Sequence, residues 1–162
     1  MTEQVILSAT SIQLLVNHQG QLIGKHLDHM GFKSVQVLPV MSGAMYYAPD
    51  LLRALGQRWS GDIRVGKHLE ELQYRKAPEP ILVIDTIYDT GDTARHYERM
   101  LGGPGIYLMF SFLIHKSRPF ETPFQTWMGA EVPEQYVYGY GLDDERGYRR
   151  ELPFIAADVD AL

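Results

Sequence analysis

Cysteine is missing from the chain altogether. That excludes disulfides and thiolate metal centres and points to a reducing compartment, the cytoplasm. Long apolar runs are missing as well: none approaches the roughly 18 residues of a membrane helix, so no membrane partner is expected. The opening Met1-Thr2-Glu3-Gln4 has neither the basic nor the apolar region of a secretory leader. An excess of positive charge is also lacking. The formal net charge is −5, with acidic residues scattered rather than blocked, which argues against nucleic-acid partners and against an acidic tail. There are no internal repeats or low-complexity segments. What remains is 162 residues with 45% apolar content, enough for a single domain over 1–162 with a real core.

One stretch organises the rest. Ile81, Leu82, Val83 and Ile84 form an unbroken aliphatic run, as a strand buried on both faces does. Asp85 stands where that strand is expected to emerge; Asp89 follows, then Thr90-Gly91-Asp92-Thr93. A helical pattern with Ala94, Tyr97, Met100 and Leu101 comes next. Strand, glycine-containing polar loop and helix direct backbone N–H groups and a positive helix end at one spot, a site for phosphate. Thr90 and Thr93 add hydroxyl donors, and two carboxylates lie close by, as a sugar phosphate would require. An ordinary βα turn, with Asp89 and Thr90 capping the helix, would read the same way.

Elsewhere the pattern alternates helix and strand. Ser8 to Ser11 offer capping hydroxyls, and Ile12, Leu15, Val16, Leu22, Ile23, Leu27 and Met30 recur at helical spacing before Gly31. His18, His26 and His29 lie on or beside this helix without a third ligand, so they read as solvated or core-edge side chains. Residues 34–40 read as a parallel strand, followed by the turn Met41-Ser42-Gly43-Ala44 and a helix over 45–55, with Pro49 in its first turn. In a parallel sheet both turns open on the same edge, where ligands bind. Residues 59–67 suggest a short strand, 68–76 are polar and mixed, and Ala77-Pro78-Glu79-Pro80 is a rigid lead into the central strand. Residues 106–114 are too apolar for an edge and read as another buried strand, leaving Lys116 on the ligand edge. The last third is rich in turns and aromatics. There Tyr136 is either part of a packed strand or a flat platform for a planar heterocycle, with backbone groups at Val137 reading its edge.

The segment Ile84-Asp85-Thr86-Ile87-Tyr88-Asp89-Thr90-Gly91-Asp92-Thr93 resembles the phosphoribosyl-diphosphate signature of the type I phosphoribosyltransferases. Further likenesses narrow the resemblance to the hypoxanthine/guanine type of purine salvage. They are Tyr46-Tyr47-Ala48-Pro49-Asp50-Leu51-Leu52-Arg53 after the glycine turn, Lys116, and Gly129-Ala130-Glu131-Val132-Pro133. The most telling is Tyr136-Val137-Tyr138-Gly139-Tyr140-Gly141-Leu142-Asp143, with Tyr148-Arg149 and Leu152-Pro153 behind it. The likeness runs from residue 5 to 155. It implies an α/β fold: a mostly parallel central sheet flanked by helices, with a small hood mainly from about 116–162 and the N-terminal residues. It implies transfer of the phosphoribosyl group from phosphoribosyl diphosphate to hypoxanthine or guanine, with xanthine a further candidate, assisted by Mg²⁺. A homodimer or homotetramer follows from the same likeness, with Tyr46 and Tyr47 on the packing face.

The resemblance also distributes roles. Asp89 is the base near N7 of the purine, within a phosphoribosyl site of Asp85, Thr86, Asp89, Thr90, Gly91, Asp92 and Thr93. Met41, Ser42, Gly43 and Arg149 take the diphosphate. Lys116, Tyr136, Val137 and Asp143 take the purine, and Asp143 and Asp85 the metal. The chain departs from the family in three places. Thr86 replaces a second acidic residue, and Met41 stands where a basic residue is common. The interval before the central strand is short and lacks the usual Ser-Tyr lid pair. A lesser oddity is Asp92, a carboxylate inside a phosphate loop. The departures motivate an alternative: a catalytically weakened relative that senses nucleotide or phosphoribosyl diphosphate.

Overall fold

The computed structural model describes residues 2–66, 79–119 and 123–159. Five strands form an all-parallel sheet: β2 (Ser34–Pro39), β3 (Asp62–Val65), β4 (Ile81–Tyr88), β5 (Leu108–Lys116) and β6 (Gln125–Val132), in spatial order β3-β2-β4-β5-β6. A second, antiparallel sheet of β1 (Thr2–Leu7), β8 (Ile155–Val159) and β7 (Val137–Tyr138) makes the hood. Three helices are described: α1 (Ala9–His29), α2 (Tyr47–Gly56) and α3 (Asp92–Leu101).

Alternation along the buried strands sorts the core into two layers. Leu82 and Ile84 of β4, with Met109 and Leu113 of β5, pack with Ile23 and Leu27 of α1 and Leu51 and Leu55 of α2. The intervening Ile81, Val83, Phe110 and Phe112 pack with Ala94 and Leu101 of α3. α1 begins where the Ser8 hydroxyl accepts the Ser11 N–H at 3.1 Å, an N-cap. It stops at Gly31 (φ 74°), where Gly31 and Phe32 donate to Asp28 and Leu27, a Schellman closure. The hood is fastened to α2 by Tyr140, whose hydroxyl donates to Asp50 at 2.5 Å and whose ring stacks on Tyr46.

Several expectations need correction. β4 continues beyond Ile84 to Tyr88 because β5 pairs with it as far as Tyr88↔His115, so Asp85 and Thr86 lie inside the strand. α2 starts at Tyr47, with a single 3-10 turn over Gly43–Met45 ahead of it. Tyr47 does not face a partner: it is fully buried, and its hydroxyl meets Gln19 and, at 2.7 Å, Ser111. Two strands hid in the turn-rich last third. β6 carries Gly129 and alternates poorly, and β8 is a short apolar run beside an acidic stretch. The polar interval 68–76 and Ala77-Pro78 lie outside the described residues.

Candidate functional site

The site gathers at the carboxyl edge of the parallel sheet, where β2, β4 and β5 each hand over to a turn. After β4, Gly91 caps α3 with φ 82°. A Cβ there would come within 2.5 Å of the Tyr88 hydroxyl, so both backbone and packing demand glycine. The loop 89–93, with Asp85 and Phe112, lines a hollow of about 120 Å³. Asp92 is turned to solvent: its carboxylate pairs with Arg95 at 2.6 Å and accepts the Thr90 hydroxyl at 2.6 Å. Those hydrogen bonds, Thr90 first and then Arg95, hold its pKa below the usual carboxylate value.

Asp85 is only 7% exposed. Burial pushes its carboxyl up to about 6, opposed by hydrogen bonds from the Thr86 N–H and the Thr93 hydroxyl. It also touches the turn after β2, since a Cβ on Gly43 would lie 3.3 Å from Asp85 Oδ1. Thr86 reinforces that junction by donating its hydroxyl to the Gly43 carbonyl at 2.8 Å. In the turn itself the Met41–Ser42 peptide is cis and the Met41 side chain is exposed. Gly141 of the hood presses on the same turn: a Cβ there would overlap the Gly43 carbonyl oxygen.

A larger cavity of about 440 Å³ opens beside the loop. Asp89, Lys116, Tyr136, Val137 and Asp143 all line it, with Ile87 and Leu142 as apolar wall. Lys116 is 4% exposed and donates to the carbonyls of Pro133, at 2.7 Å, and Gln135. Burial lowers its pKa, while Asp89 and Glu134 act against that shift. Tyr136 is 53% exposed. Asp89 is half-exposed and forms an ion pair with Arg118 at 3.3 Å.

Arg149 is placed elsewhere. Its guanidinium lies over the Tyr138 ring, 4.8 Å from the centroid, and 3.6 and 3.8 Å from Glu3 and Asp158 on the hood. The next residue, Arg150, reaches the site: it donates to the Gly141 carbonyl at 2.6 Å and pairs with Asp143 at 2.7 Å. Arg149 has φ 69°, so the backbone turns there and adjacent arginines serve different partners. The resemblance singles out Arg149 rather than Arg150 because two neighbouring arginines look alike before that turn is known. Sequence reasoning missed Arg118 and Glu134, which carry no motif. The spacing of Arg118 from Lys116 is the one available signal. His26 sits half-buried at the core edge with its Nε2 2.9 Å from the Tyr107 hydroxyl.

No known protein-family profile matches the sequence. Individual proteins do. The hypoxanthine-guanine phosphoribosyltransferase of Dictyostelium discoideum is 23% identical over 177 residues, covering 96% of this chain and 94% of that protein. That of Aquifex aeolicus is 28% identical over 138 residues, covering 74% and 75%. Among solved structures, the enzyme of Leishmania tarentolae in complex with GMP superposes with a TM-score of 0.81 at 18% identity, over 99% of both chains. The hypoxanthine-guanine phosphoribosyltransferase of Schistosoma mansoni in complex with IMP gives 0.78 at 20% identity, over 94% of this chain and 79% of that one.

Proposed function

We propose that the chain, which has the fold of the hypoxanthine-guanine phosphoribosyltransferases and resembles them along nearly its whole length, shares their reaction. It moves the 5-phosphoribosyl group from phosphoribosyl diphosphate to hypoxanthine or guanine. The observation that carries this reading is that the anion hollow and the base cavity share two walls, Ile87 and Asp89. A phosphate in the loop and a planar base against Tyr136 then place the sugar's C1 beside Asp89.

The chemistry suits these residues. A purine ring nitrogen bonds to C1 as the C1–oxygen bond to diphosphate breaks, and the diphosphate leaves with the electron pair. The proton shed by the purine ring passes to Asp89. Positive charge building on the sugar is favoured by the same carboxylate. In this reading Lys116 recognises the 6-oxo group, and Val137 offers backbone contacts to the base edge. The Met41-Ser42-Gly43 turn and Arg150 take the diphosphate in this reading, Arg150 in the role that the resemblance gives Arg149. Among the described residues no three His, Asp or Glu side chains converge as a protein-only metal cage would need. The two separate carboxylates, Asp143 and Asp85, instead fit Mg²⁺, which typically takes one or two carboxylates beside substrate phosphates. When bound it would neutralise charge on the diphosphate. The absence of cysteine suits the cytoplasm, and we expect a homodimer or homotetramer, checked by light scattering on the purified chain.

The test is diphosphate release with hypoxanthine, guanine and xanthine, with and without millimolar Mg²⁺. Release should need the base, phosphoribosyl diphosphate and the metal together. Silence with all three bases removes the proposal. One observation favours a second reading, a non-catalytic sensor: the Thr86 hydroxyl is committed to Gly43, leaving Asp85 alone to meet the ribose. Ligand-induced thermal stabilisation without any product would favour the sensor.

A further inference from the structure

We infer that Arg118 is the positioning residue for Asp89, fixing where that carboxylate stands over the base cavity by tying it to the 133–135 segment. The inference rests on the phosphoribosyl-transfer reading above. Arg118 follows Lys116 by two positions, and its backbone N–H donates to the Lys116 carbonyl at 2.8 Å, so the chain folds back immediately after β5. That turn delivers the guanidinium between carboxylates from two parts of the fold. It lies 3.3 Å from an Asp89 oxygen and 2.8 Å from one of Glu134. Both carboxylates line the base cavity.

Lys116 grips the same segment through the Pro133 and Gln135 carbonyls. The end of β5 therefore holds 133–135 by backbone and by side chain at once, and Arg118 extends that hold across the cavity to the β4 loop. Among the described residues, Arg118 supplies the only ion pair that Asp89 makes. A planar guanidinium can serve two carboxylates together, whereas an ammonium is a point charge on a flexible stem. Exposed pairs of this kind add little to stability. Their value lies in aim, because small misplacements of a reacting group cost large factors in rate.

The experiment measures single-turnover rates and melting curves for the full-length wild type, R118M, R118K, D89N and D89N/R118M. R118M should melt close to wild type, leave the KM for phosphoribosyl diphosphate within about twofold, and lower the rate roughly tenfold. R118K should recover part of that loss. In the D89N background, adding R118M should change the rate by less than about twofold, since the group it positions is already disabled. A wild-type rate in R118M overturns the inference, and so does an equal tenfold loss in both backgrounds. Should R118M fail to fold, a wild-type rate in R118K overturns it. A wild type that makes no nucleotide removes the transfer reading itself, and this inference with it.

Discussion

Thr86, wholly buried in the middle of β4, donates its hydroxyl to the carbonyl of Gly43 at 2.8 Å. The strand that leads into the 89–93 loop thereby pins the Met41-Ser42-Gly43 turn. One side-chain hydrogen bond sets the spacing of two turns whose anchoring residues lie 43 apart in the chain. Thr86→Val should remove the partner of this part-buried carbonyl and cost about 1 kcal/mol. Affinity for phosphoribosyl diphosphate should fall while purine affinity holds. Unchanged denaturant midpoints would show that the bond is not holding the turn.

Asp85 titrates at about 6 in the folded chain, against an ordinary value of 3.8. Between those values the folded form keeps a proton that the unfolded form releases. This group's contribution to stability therefore falls as pH rises from about 4 to about 6 and stays low above that. Asp85→Asn should be more stable than wild type at neutral pH, by on the order of 3 kcal/mol. The gap should shrink as pH is lowered towards 4. Paired melting curves across that range check it, and a gap independent of pH would contradict the buried-carboxyl account.

Asp89→Asn removes the proton acceptor without changing shape. The rate should drop by roughly 10²–10⁴-fold, while a purine nucleotide still raises the melting temperature. An unaffected rate would sink the role given to this carboxylate.

Tyr136 presents a half-exposed ring to the base cavity. Tyr136→Ala should raise the purine KM roughly tenfold, in keeping with about 1–3 kcal/mol for aromatic–base stacking. It should barely alter stability, because little packed surface is lost. Initial rates at varied hypoxanthine would show it.

The neighbouring arginines give a direct comparison. Arg150 pairs with Asp143 beside the glycine turn, whereas Arg149 lies over Tyr138 on the hood. Arg150→Met should lower turnover at least tenfold more than Arg149→Met, an estimate based on losing a charge-assisted contact to the leaving group. The reverse ranking would return the diphosphate to Arg149.

The buried parallel strands were legible because β4 and β5 are aliphatic or aromatic on both faces. The strand–loop–helix turn over 89–93 was legible because a glycine among short polar residues follows such a strand just ahead of a helical pattern. Lys116, Tyr136, Val137 and Asp143 do line one cavity with Asp89, yet no local pattern in the sequence brings them there. The length of β4 was not legible, since Asp85 and Thr86 are tolerated inside a strand only through tertiary hydrogen bonds to Thr93 and Gly43. Nor was β8, whose pairing with β1 is a contact between distant residues. The different partners of Arg149 and Arg150 likewise turned on a single positive φ angle.

The antiparallel ladder of the hood joins Thr2 to Val159 and Leu7 to Ile155, and β7 attaches to it through β8. Closing so wide a loop is slow compared with local contacts. Loss of β1 would therefore leave β8 an edge strand with unpaired backbone groups while the β7–β8 pairing persists.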